Sequence, residues 1–354
     1  MKDEITVGLS VSTSGTFQLE GQQALHAILL WQSHVNAQGG ITVGSVSRPI
    51  RVIWYDDEGR VSRTRENVLR LLRGDSVDFL LGPYSSHLTM AAAEIAEEHE
   101  KILWNYGGTS DEIFSRGWRY IVGISSPASD YFRGFPRWLT KEDPELRRIY
   151  VFHSGKGTFG RQVSCGVIES AGDTGHSVHS VPIDTPVEKL HEATPEAIVL
   201  AASYDDEMAI IQSRPCWPTT VRAVAAVAAG IASFGSEMGQ TSHGVIGPSQ
   251  WEPDSHFPSV VGPSSEWFGH AFQKEFGTAA DYVAAAAFAG GLILSECIRR
   301  AVSLDNNKLR EVASRLDCNT FYGRFRVDPQ AGKQVGHRVL LVQWKNRAKS
   351  VLPA

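Results

Sequence analysis

The sequence predicts an α/β protein with two lobes, each built on a parallel sheet that is covered by helices. Short apolar runs alternate with amphipathic segments over residues 5–124, and the alternation restarts at residue 148. Such alternation is typical of βαβ units, and unbroken apolar runs are typical of strands buried on both faces. The length of 354 residues also exceeds what a single core normally holds.

The first lobe is predicted from residues 5–124. Residues 5–11 are rich in Ile, Val and Leu and predict the first strand, and glycines at 39, 40 and 74 end the first two helices. The predicted strands are 5–11, 51–55, 77–81, 102–104 and 120–124, and the predicted helices are 21–37, 62–73 and 89–98.

The second lobe repeats this pattern. Its predicted strands are 148–152, 177–182, 197–202, 222–226 and 245–247, and its predicted helices are 161–171, 205–212 and a weaker one near 187–191. Helices at 265–276, 279–302 and 308–316 have no third sheet to cover, so we expect them to return to the first lobe. Extended segments at 321–327 and 339–344 flank the turn sequence 328–332, which indicates a hairpin.

We therefore expect residues 1–124 plus 251–326 to form lobe one and residues 125–250 plus 327–354 to form lobe two. The chain would cross between the lobes near 124, 250 and 326.

Composition excludes several classes of function. The net charge is −5 and no basic run is present, so no nucleic-acid partner is expected. The apolar stretch 282–294 is too short to span a bilayer and predicts a buried helix. The four cysteines lack metal-ligand spacing, so no zinc site is expected. Their even count permits disulfides in an oxidising compartment, but buried thiols are favoured. No other metal and no cofactor are expected. The first residues lack the features of a signal peptide, which fits a cytosolic protein or an exported one whose signal was removed.

The segment 82–91, GPYSSHLTMA, joins a predicted strand to a predicted helix. A helix N-terminus presents unpaired N–H groups and a partial positive charge, and open α/β sheets bind ligands at the carboxyl ends of their strands. Tyr84, Ser85 and Ser86 are therefore predicted to bind a ligand. Either serine alone could instead cap the helix.

A second loop of this kind, residues 105–110, follows the next predicted strand. Gly107 and Gly108 would let a ligand approach the backbone closely. Thr109 adds a hydroxyl group. Both loops are predicted to end at the same edge of the sheet.

Several strings occur in a characteristic order. They are Ile5-Thr6-Val7-Gly8-Leu9 with Ser14-Gly15 and Gly21; Val35-Asn36-Ala37-Gln38-Gly39-Gly40-Ile41; Trp54-Tyr55-Asp56-Asp57; Leu81-Gly82-Pro83 with Ser85-Ser86; Phe159-Gly160; and Gly323. In this combination the chain resembles the type I periplasmic binding proteins over nearly its whole length. It is similar in particular to the family that carries leucine, isoleucine and valine to ABC transporters.

The resemblance implies two Rossmann-like lobes, a three-crossing hinge and a ligand trapped between the lobes on closure. It implies a non-enzymatic, extracytoplasmic solute-binding protein whose ligand is an amino acid or a related small carboxylic acid. Its partners would be ABC permease subunits.

The resemblance also assigns roles to residues. Ser86 and Thr109, with the main chain at Gly107, would grip a carboxylate. The second lobe would close Phe159 and Tyr204 over the ligand, although core packing is the alternative for both. Trp104 and Trp251 are weaker candidates for walls of the pocket.

The loop that ends at Gly230 departs from the family. Relatives that bind amino acids usually place an acid there for the ligand ammonium, whereas the matching position here is alanine. An unpaired buried ammonium is costly, so either another acid serves or the ligand has no amine. Glu20 and Asp205 are the candidate acids. The residues themselves favour a solvent-facing loop position for Glu20 and an N-cap for Asp205.

Two other functions remain open. Residues 155–160 form a G-x-G-x-x-G string after a strand and before a helix, and Asp184 ends the next strand, which would suit an NAD-dependent oxidoreductase. The mid-chain position of the string favours a simple tight turn. The segment 84–87 is also similar to amide- and urea-binding relatives, some of which are cytosolic sensors. Asp56, Asp57 and Glu58 are expected to form a solvated acidic face.

Overall fold

The computed structural model describes residues 3–155, 157–186, 188–255 and 257–353. The chain divides into two compact units. Unit 1 comprises Met1–Ser126 and Trp251–Arg338, and unit 2 comprises Pro127–Gln250 and Val339–Ala354. The chain therefore passes three times between the units, and the third passage lies at residue 338 rather than near 326.

The secondary structure alternates as expected. The strands are β1 Ile5–Val11, β2 Ile41–Val43, β3 Val46–Arg48, β4 Ile50–Asp56, β5 Phe79–Leu81, β6 Leu103–Asn105, β7 Ile121–Gly123, β8 Arg148–His153, β9 Ser177–Pro182, β10 Ala197–Ala201, β11 Ala223–Ala226, β12 Val245–Ser249, β13 Cys318–Thr320, β14 Gly323–Phe325, β15 Leu340–Lys345 and β16 Ala348–Val351. The helices are α1 Gln18–Ala37, α2 Val61–Leu69, α3 Ser86–Glu98, α4 Asp111–Ser115, α5 Phe135–Glu142, α6 Phe159–Gly172, α7 Lys189–Ala193, α8 Tyr204–Gln212, α9 Phe234–Met238, α10 Ser265–Phe276, α11 Tyr282–Ala301 and α12 Asn306–Arg315.

Unit 1 contains a five-stranded sheet in the order β4-β1-β5-β6-β7, and all its pairs are parallel. Every residue of β1 is buried, as expected for a strand covered on both faces. Helices α10, α11 and α12 belong to this unit. Among the described residues one helix, α11, is long and apolar enough to span a membrane, but 83% of its apolar window is buried in the structure.

Unit 2 contains a seven-stranded sheet in the order β16-β15-β12-β11-β10-β8-β9. Strands β8 to β12 are parallel, whereas β15 and β16 are antiparallel, so the expectation of a wholly parallel sheet is wrong for this edge. The hairpin partner of β15 is β16. The segment at 321–327 pairs instead within a small β13–β14 hairpin of unit 1, because β14 turns back onto β13 at once.

The segment 327–338 belongs to unit 1 because unit 1 holds it by hydrogen bonds. The backbone N–H of Gly123 donates to the carbonyl oxygen of Gly332 at 2.8 Å. The Gln334 side-chain amide donates to the carbonyl oxygen of Ile124 at 3.0 Å. Because of these contacts, the chain passes from unit 1 to unit 2 only after Arg338.

Short elements were not predicted, since each has too few residues for a periodic signal. They are the β2–β3 hairpin and helices α4, α5 and α9. The weak helix near 187–191 is observed from Lys189, and Val187 lies outside the described residues.

Candidate functional site

The N-terminus of α3 supplies the first candidate loop of unit 1. Ser85 caps this helix, because its Oγ accepts a hydrogen bond from the backbone N–H of Leu88 at 3.5 Å. Ser85 has a φ of 79°, which is uncommon outside glycine and marks a sharp turn between β5 and α3. Capping is therefore the observed role of the first serine.

Ser86 joins this loop to the second candidate loop. Its Oγ accepts hydrogen bonds from the backbone N–H groups of Thr109 at 3.2 Å and Ser110 at 3.0 Å. A hydroxyl oxygen that accepts two bonds still carries its own proton, and the two donors polarise that O–H group. Ser86 can thus donate to an anion while it holds two loops together.

Gly107 and Gly108 are required by packing between the two loops. A Cβ atom at Gly107 would lie 2.6 Å from the Tyr84 Cα atom, and one at Gly108 would lie 2.5 Å from the Thr89 Cβ atom. Asn105 closes the same loop by exchanging two 2.7 Å hydrogen bonds with the Gly108 backbone. Packing against loop 83–89 therefore accounts for both glycines, and contact of their backbone with a ligand stays a prediction.

An aromatic group lies beside these loops. The Phe17 ring centroid is 5.8 Å from that of Tyr84 and 5.4 Å from that of His87. Ser85 Oγ lies 3.3 Å from His87 Nδ1. Desolvation lowers the pKa of His87 against the opposing charge of Asp57, which favours a neutral ring.

Phe17 was not predicted, although it follows the carboxyl end of β1 just as Tyr84 follows β5. This position, after a strand and before a helix, could have identified Phe17 as a candidate ligand contact.

Glu20 lies in the first turn of α1 and is half-buried, so its assignment to a solvent-facing loop is wrong. Burial raises the pKa of its carboxyl group. A hydrogen bond to its own backbone opposes this shift, and the nearby charge of Asp281 adds to it. Asp281 caps α11 and accepts hydrogen bonds from the N–H groups of Val283 at 2.8 Å and Ala284 at 3.0 Å.

Trp104 and Trp251 lie in the core of unit 1, with exposed fractions of 0% and 1%. Trp251 donates from Nε1 to Ser265 Oγ at 3.1 Å, and its ring packs edge-on against Phe268. Trp104 therefore lines no accessible surface, and the expectation that it forms a wall of the ligand pocket is wrong. Trp251 does border a cavity of about 640 Å³ between residues 251–258 and α10.

In unit 2, Phe159 is the first residue of α6 and is half-buried, with its ring edge-on to Tyr131 at 5.5 Å. The next residue, Gly160, packs against the end of β10. A Cβ atom there would lie 2.3 Å from the Ala201 carbonyl oxygen. Close helix–strand packing therefore accounts for this glycine of the 155–160 string, in which Lys156 lies outside the described residues.

Tyr204 begins α8, directly after β10. Its hydroxyl oxygen lies 3.1 Å from Ser233 Oγ, and burial raises the pKa of its phenol to about 12. Asp205 is exposed and does not cap the helix. Ser203 does so, because its extended backbone lets Oγ accept from the N–H group of Asp206 at 3.3 Å.

The loop after β11, residues 227–230, ends at the buried Gly230. A Cβ atom at Gly230 would lie 2.0 Å from the Pro248 carbonyl oxygen. Trp344 Nε1 donates to the Ala229 carbonyl oxygen at 2.7 Å, and Lys349 Nζ donates to that of Gly230 at 3.0 Å. This loop is tightly held and carries no ionisable side chain.

A buried acid that was not predicted lies behind this loop. Glu207 is fully buried and accepts hydrogen bonds from the N–H groups of Ala202 and Ala228, each at 2.7 Å. The available signal was helical spacing, since positions 207 and 211 share the buried face of α8.

Candidate loops follow the carboxyl ends of β1, β5 and β6 in unit 1 and of β8, β10 and β11 in unit 2. A family model described as "Periplasmic binding protein" matches residues 4–349. The chain belongs to the periplasmic binding protein family.

Relatives of this binding protein are distant. It is 21% identical over 224 residues to "Leu/Ile/Val-binding protein homolog 8" of Brucella abortus, covering 59% of this chain and 54% of the relative. The match thus spans about half the length of the curated relatives.

Two solved structures share the fold of the binding protein. A leucine-binding protein of Thermotoga maritima has a TM-score of 0.81 at 16% identity, covering 99% of this chain and 98% of that one. An ABC-transporter solute-binding protein of Rhodopseudomonas palustris, in complex with 3,4-dihydroxybenzoic acid, has a TM-score of 0.79 at 20% identity, covering 97% and 93%. The fold is that of type I periplasmic binding proteins, as the sequence predicts.

The acidic turn after β4 has a structural role in the binding protein. Asp57 is fully buried and accepts hydrogen bonds from the hydroxyl groups of Ser10 and Ser12, so the expected solvated face is wrong for this residue. Within the described ranges, no group of three or more His, Cys, Asp or Glu side chains is arranged to hold a metal ion.

Proposed function

We propose that this chain is the extracytoplasmic solute-binding component of an ABC importer, and that its ligand is a small carboxylate with an apolar or aromatic body and no ammonium. One observation carries the ligand class. The loop 227–230 has no ionisable side chain, and Glu207 behind it is fully buried and already accepts backbone hydrogen bonds. This loop therefore offers a ligand no exposed carboxylate.

The anion would bind at the N-terminus of α3. This helix has 13 residues, and its first backbone N–H groups point away from the helix with a partial positive charge. The Ser86 hydroxyl group adds a polarised donor. Together these groups suit a carboxylate.

The body of the ligand would contact aromatic rings. Unit 1 offers Phe17, Tyr84 and His87 beside the Ser86 hydroxyl group. Unit 2 offers Phe159 and Tyr204 at the starts of α6 and α8. The Rhodopseudomonas palustris protein with the same fold was solved with an aromatic acid, which supports this ligand class.

In this proposal the loops of unit 1 bind the ligand first, and hinge closure then brings the loops of unit 2 onto it. ABC permease subunits recognise the closed state, and ATP hydrolysis occurs in another subunit. The chain itself catalyses no reaction.

A branched-chain amino acid is the second candidate ligand. It is favoured by Glu20, whose half-buried carboxyl group lies near Asp281 and could meet an ammonium group. The relatives named for leucine, isoleucine and valine support the same class.

A thermal-shift panel tests these alternatives, because a ligand present at about one hundred times its dissociation constant adds roughly 2.7 kcal/mol to the free energy of unfolding. The panel contains benzoate, 3,4-dihydroxybenzoate, leucine, isoleucine, valine, phenylalanine, short amides, urea and NAD. We expect shifts from the amine-free acids. Shifts from amino acids alone would favour the second candidate ligand over the first, and Glu20→Gln would be the next variant to measure. Shifts from amides alone would favour a sensor, and shifts from NAD alone would overturn the binding-protein proposal.

A further inference from the structure

We infer that Glu207 is a positioning residue for the ligand loops of unit 2, because its carboxyl group ties the loop after β10 to the loop after β11. This inference rests on the proposed function, in which these two loops contact the ligand. Glu207 itself is fully buried and has no access to a ligand.

The geometry of the carboxyl group carries the inference. Oε1 accepts a hydrogen bond from the N–H group of Ala202 at 2.7 Å, and Oε2 accepts one from that of Ala228 at 2.7 Å. One side chain thus spans two loops that are 26 positions apart in the sequence.

The other anchors of the loop 227–230 act differently. Trp344 and Lys349 bind its carbonyl oxygens from β15 and β16. They attach the loop to the antiparallel edge of the sheet, but they do not connect it to β10. β10 and β11 pair directly as far as Leu200 and Ala226, and Glu207 continues that connection beyond the strand ends, at Ala202 and Ala228.

The connection has a consequence for the ligand. Ala202 lies two residues before Tyr204, and Tyr204 begins the helix that carries Glu207. Loss of either bond would therefore remove a direct side-chain tie between the loop after β11 and the segment that leads into Tyr204. Small displacements of contact groups lower affinity strongly.

Glu196 offers a matched control within the same sheet. Its Oε2 accepts hydrogen bonds from the N–H groups of Arg147 at 2.7 Å and Arg148 at 2.9 Å. This carboxylate also ties two chain segments through backbone N–H groups, but it does so at the start of β8 and β10, the edge opposite the ligand loops.

The test compares full-length Glu207→Gln and Glu196→Gln proteins. Glutamine keeps one acceptor oxygen but places an NH₂ donor against a backbone donor. Hydrogen–deuterium exchange is measured over peptides covering 201–208, 223–231 and 147–152, without ligand. Calorimetry then measures the affinity for benzoate and for leucine.

We expect Glu207→Gln to accelerate hydrogen exchange in residues 201–208 and 223–231. It should also lower the affinity for the probe that binds by about tenfold or more, the scale of a lost buried hydrogen bond. Glu196→Gln should accelerate exchange only near 147–152 and change affinity by less than about twofold, as for distant sites. Unchanged exchange at 223–231, or equal losses of affinity in the two variants, would overturn the inference.

Glu207→Met is a second variant, because it fills a similar volume and removes both acceptors without placing a new donor against the backbone N–H groups. It should show the same exchange pattern. If the wild-type protein binds neither probe, the proposed ligand classes fail, while the exchange comparison still decides the role of Glu207.

Discussion

The Ser86 hydroxyl oxygen accepts a hydrogen bond from the Thr109 backbone nitrogen, 3.2 Å away. This bond connects the N-terminus of α3 to the loop after β6, and both are candidate carboxylate-binding elements. The same serine therefore positions the second loop and offers its proton to a ligand.

The double variant Ser86→Ala with Thr109→Ala should abolish binding of the carboxylate probe and leave the fold intact. A hydrogen bond to a charged group contributes about 1.5–3 kcal/mol, so Ser86→Ala alone should weaken affinity by at least about tenfold. Calorimetry measures this change. Ser85→Ala is the control, since it loses a cap worth about 1 kcal/mol of stability and should keep most of the affinity. A double variant with wild-type affinity would refute the site assignment.

Gly108→Ala should destabilise unit 1 by about 1–3 kcal/mol, the usual cost of overpacking. The reason is the 2.5 Å approach of the new Cβ atom to Thr89. Chemical denaturation measures the effect. Gly269→Ala serves as the control, because nothing lies within 4 Å of its Cβ position in α10 and helix propensity there favours alanine by about 1 kcal/mol. Equal stability of the two variants would contradict the packing role of Gly108.

Tyr106→Phe should leave the melting temperature unchanged or raise it. The Tyr106 hydroxyl group is buried and has no hydrogen-bond partner among the described residues. Burial raises the pKa of this phenol, with the charge of Asp57 adding to the shift. Removing a buried polar group that has no partner relieves a desolvation cost. A clear fall in melting temperature would show that the hydroxyl group holds a water molecule or a ligand.

The pH dependence of stability should differ between Glu207 and Glu196. Burial raises the pKa of Glu207 from 4.5 to about 8, against the opposing hydrogen bonds from Ala228, Ala202 and Val227. The folded state then binds more protons than the unfolded state. The contribution of Glu207 to the free energy of unfolding is therefore complete below pH 4.5 and is lost as the pH rises through about 8. The stability of the wild type relative to Glu207→Gln should therefore decrease as the pH rises from 4.5 to about 8.

Glu196 should behave in the opposite way. Desolvation raises its pKa, but hydrogen bonds from the Arg147 and Arg148 backbones outweigh this and hold the pKa below its ordinary value. Its contribution is present above the unfolded pKa and is lost as the pH falls. Denaturation curves of both variants from about pH 2 to pH 9 check the two signs, because the Glu196 contribution is lost below its unfolded pKa of 4.5. Parallel pH profiles would contradict them.

Thiol labelling should sort the four cysteines by burial. Cys165 and Cys216 are exposed, so the expectation of buried thiols is wrong for these two, and they should react first with a disulfide reagent. Burial raises the pKa of Cys318 to about 11 and raises that of the buried Cys297 further, so the reactive thiolate is scarce at both. Mass spectrometry should find Cys297 modified only after unfolding. Rapid modification of Cys297 in the native protein would contradict its burial.

Much of the fold could be predicted because the signals are local. The run 5–11 becomes β1, and the periodicity of 265–276 becomes α10 with the expected bounds. The antiparallel pairing of β15 with β12 could not be predicted, since strand order depends on contacts between segments far apart in the chain.

The candidate site was predictable in position but not in contacts. The order of strands and helices correctly located Ser86 and Thr109 in adjacent loops. It could not show that the neighbouring loop occupies the space beside Gly107 and Gly108. Glu207 was missed because an acid in a helix normally faces solvent, and only its backbone partners explain its burial.

The chain order of the two units also has a consequence for biosynthesis. Unit 1 receives α11 only after all of β8 to β12 has been made, and unit 2 receives β15 and β16 from the last residues of the chain. The ribosome delivers the chain from its N-terminus, so neither core can be completed until synthesis is nearly finished. During that interval the sheet of unit 1 lacks α10, α11 and α12. A chain of this order stays accessible to chaperones, and to any export machinery that accepts unfolded protein, for most of its synthesis.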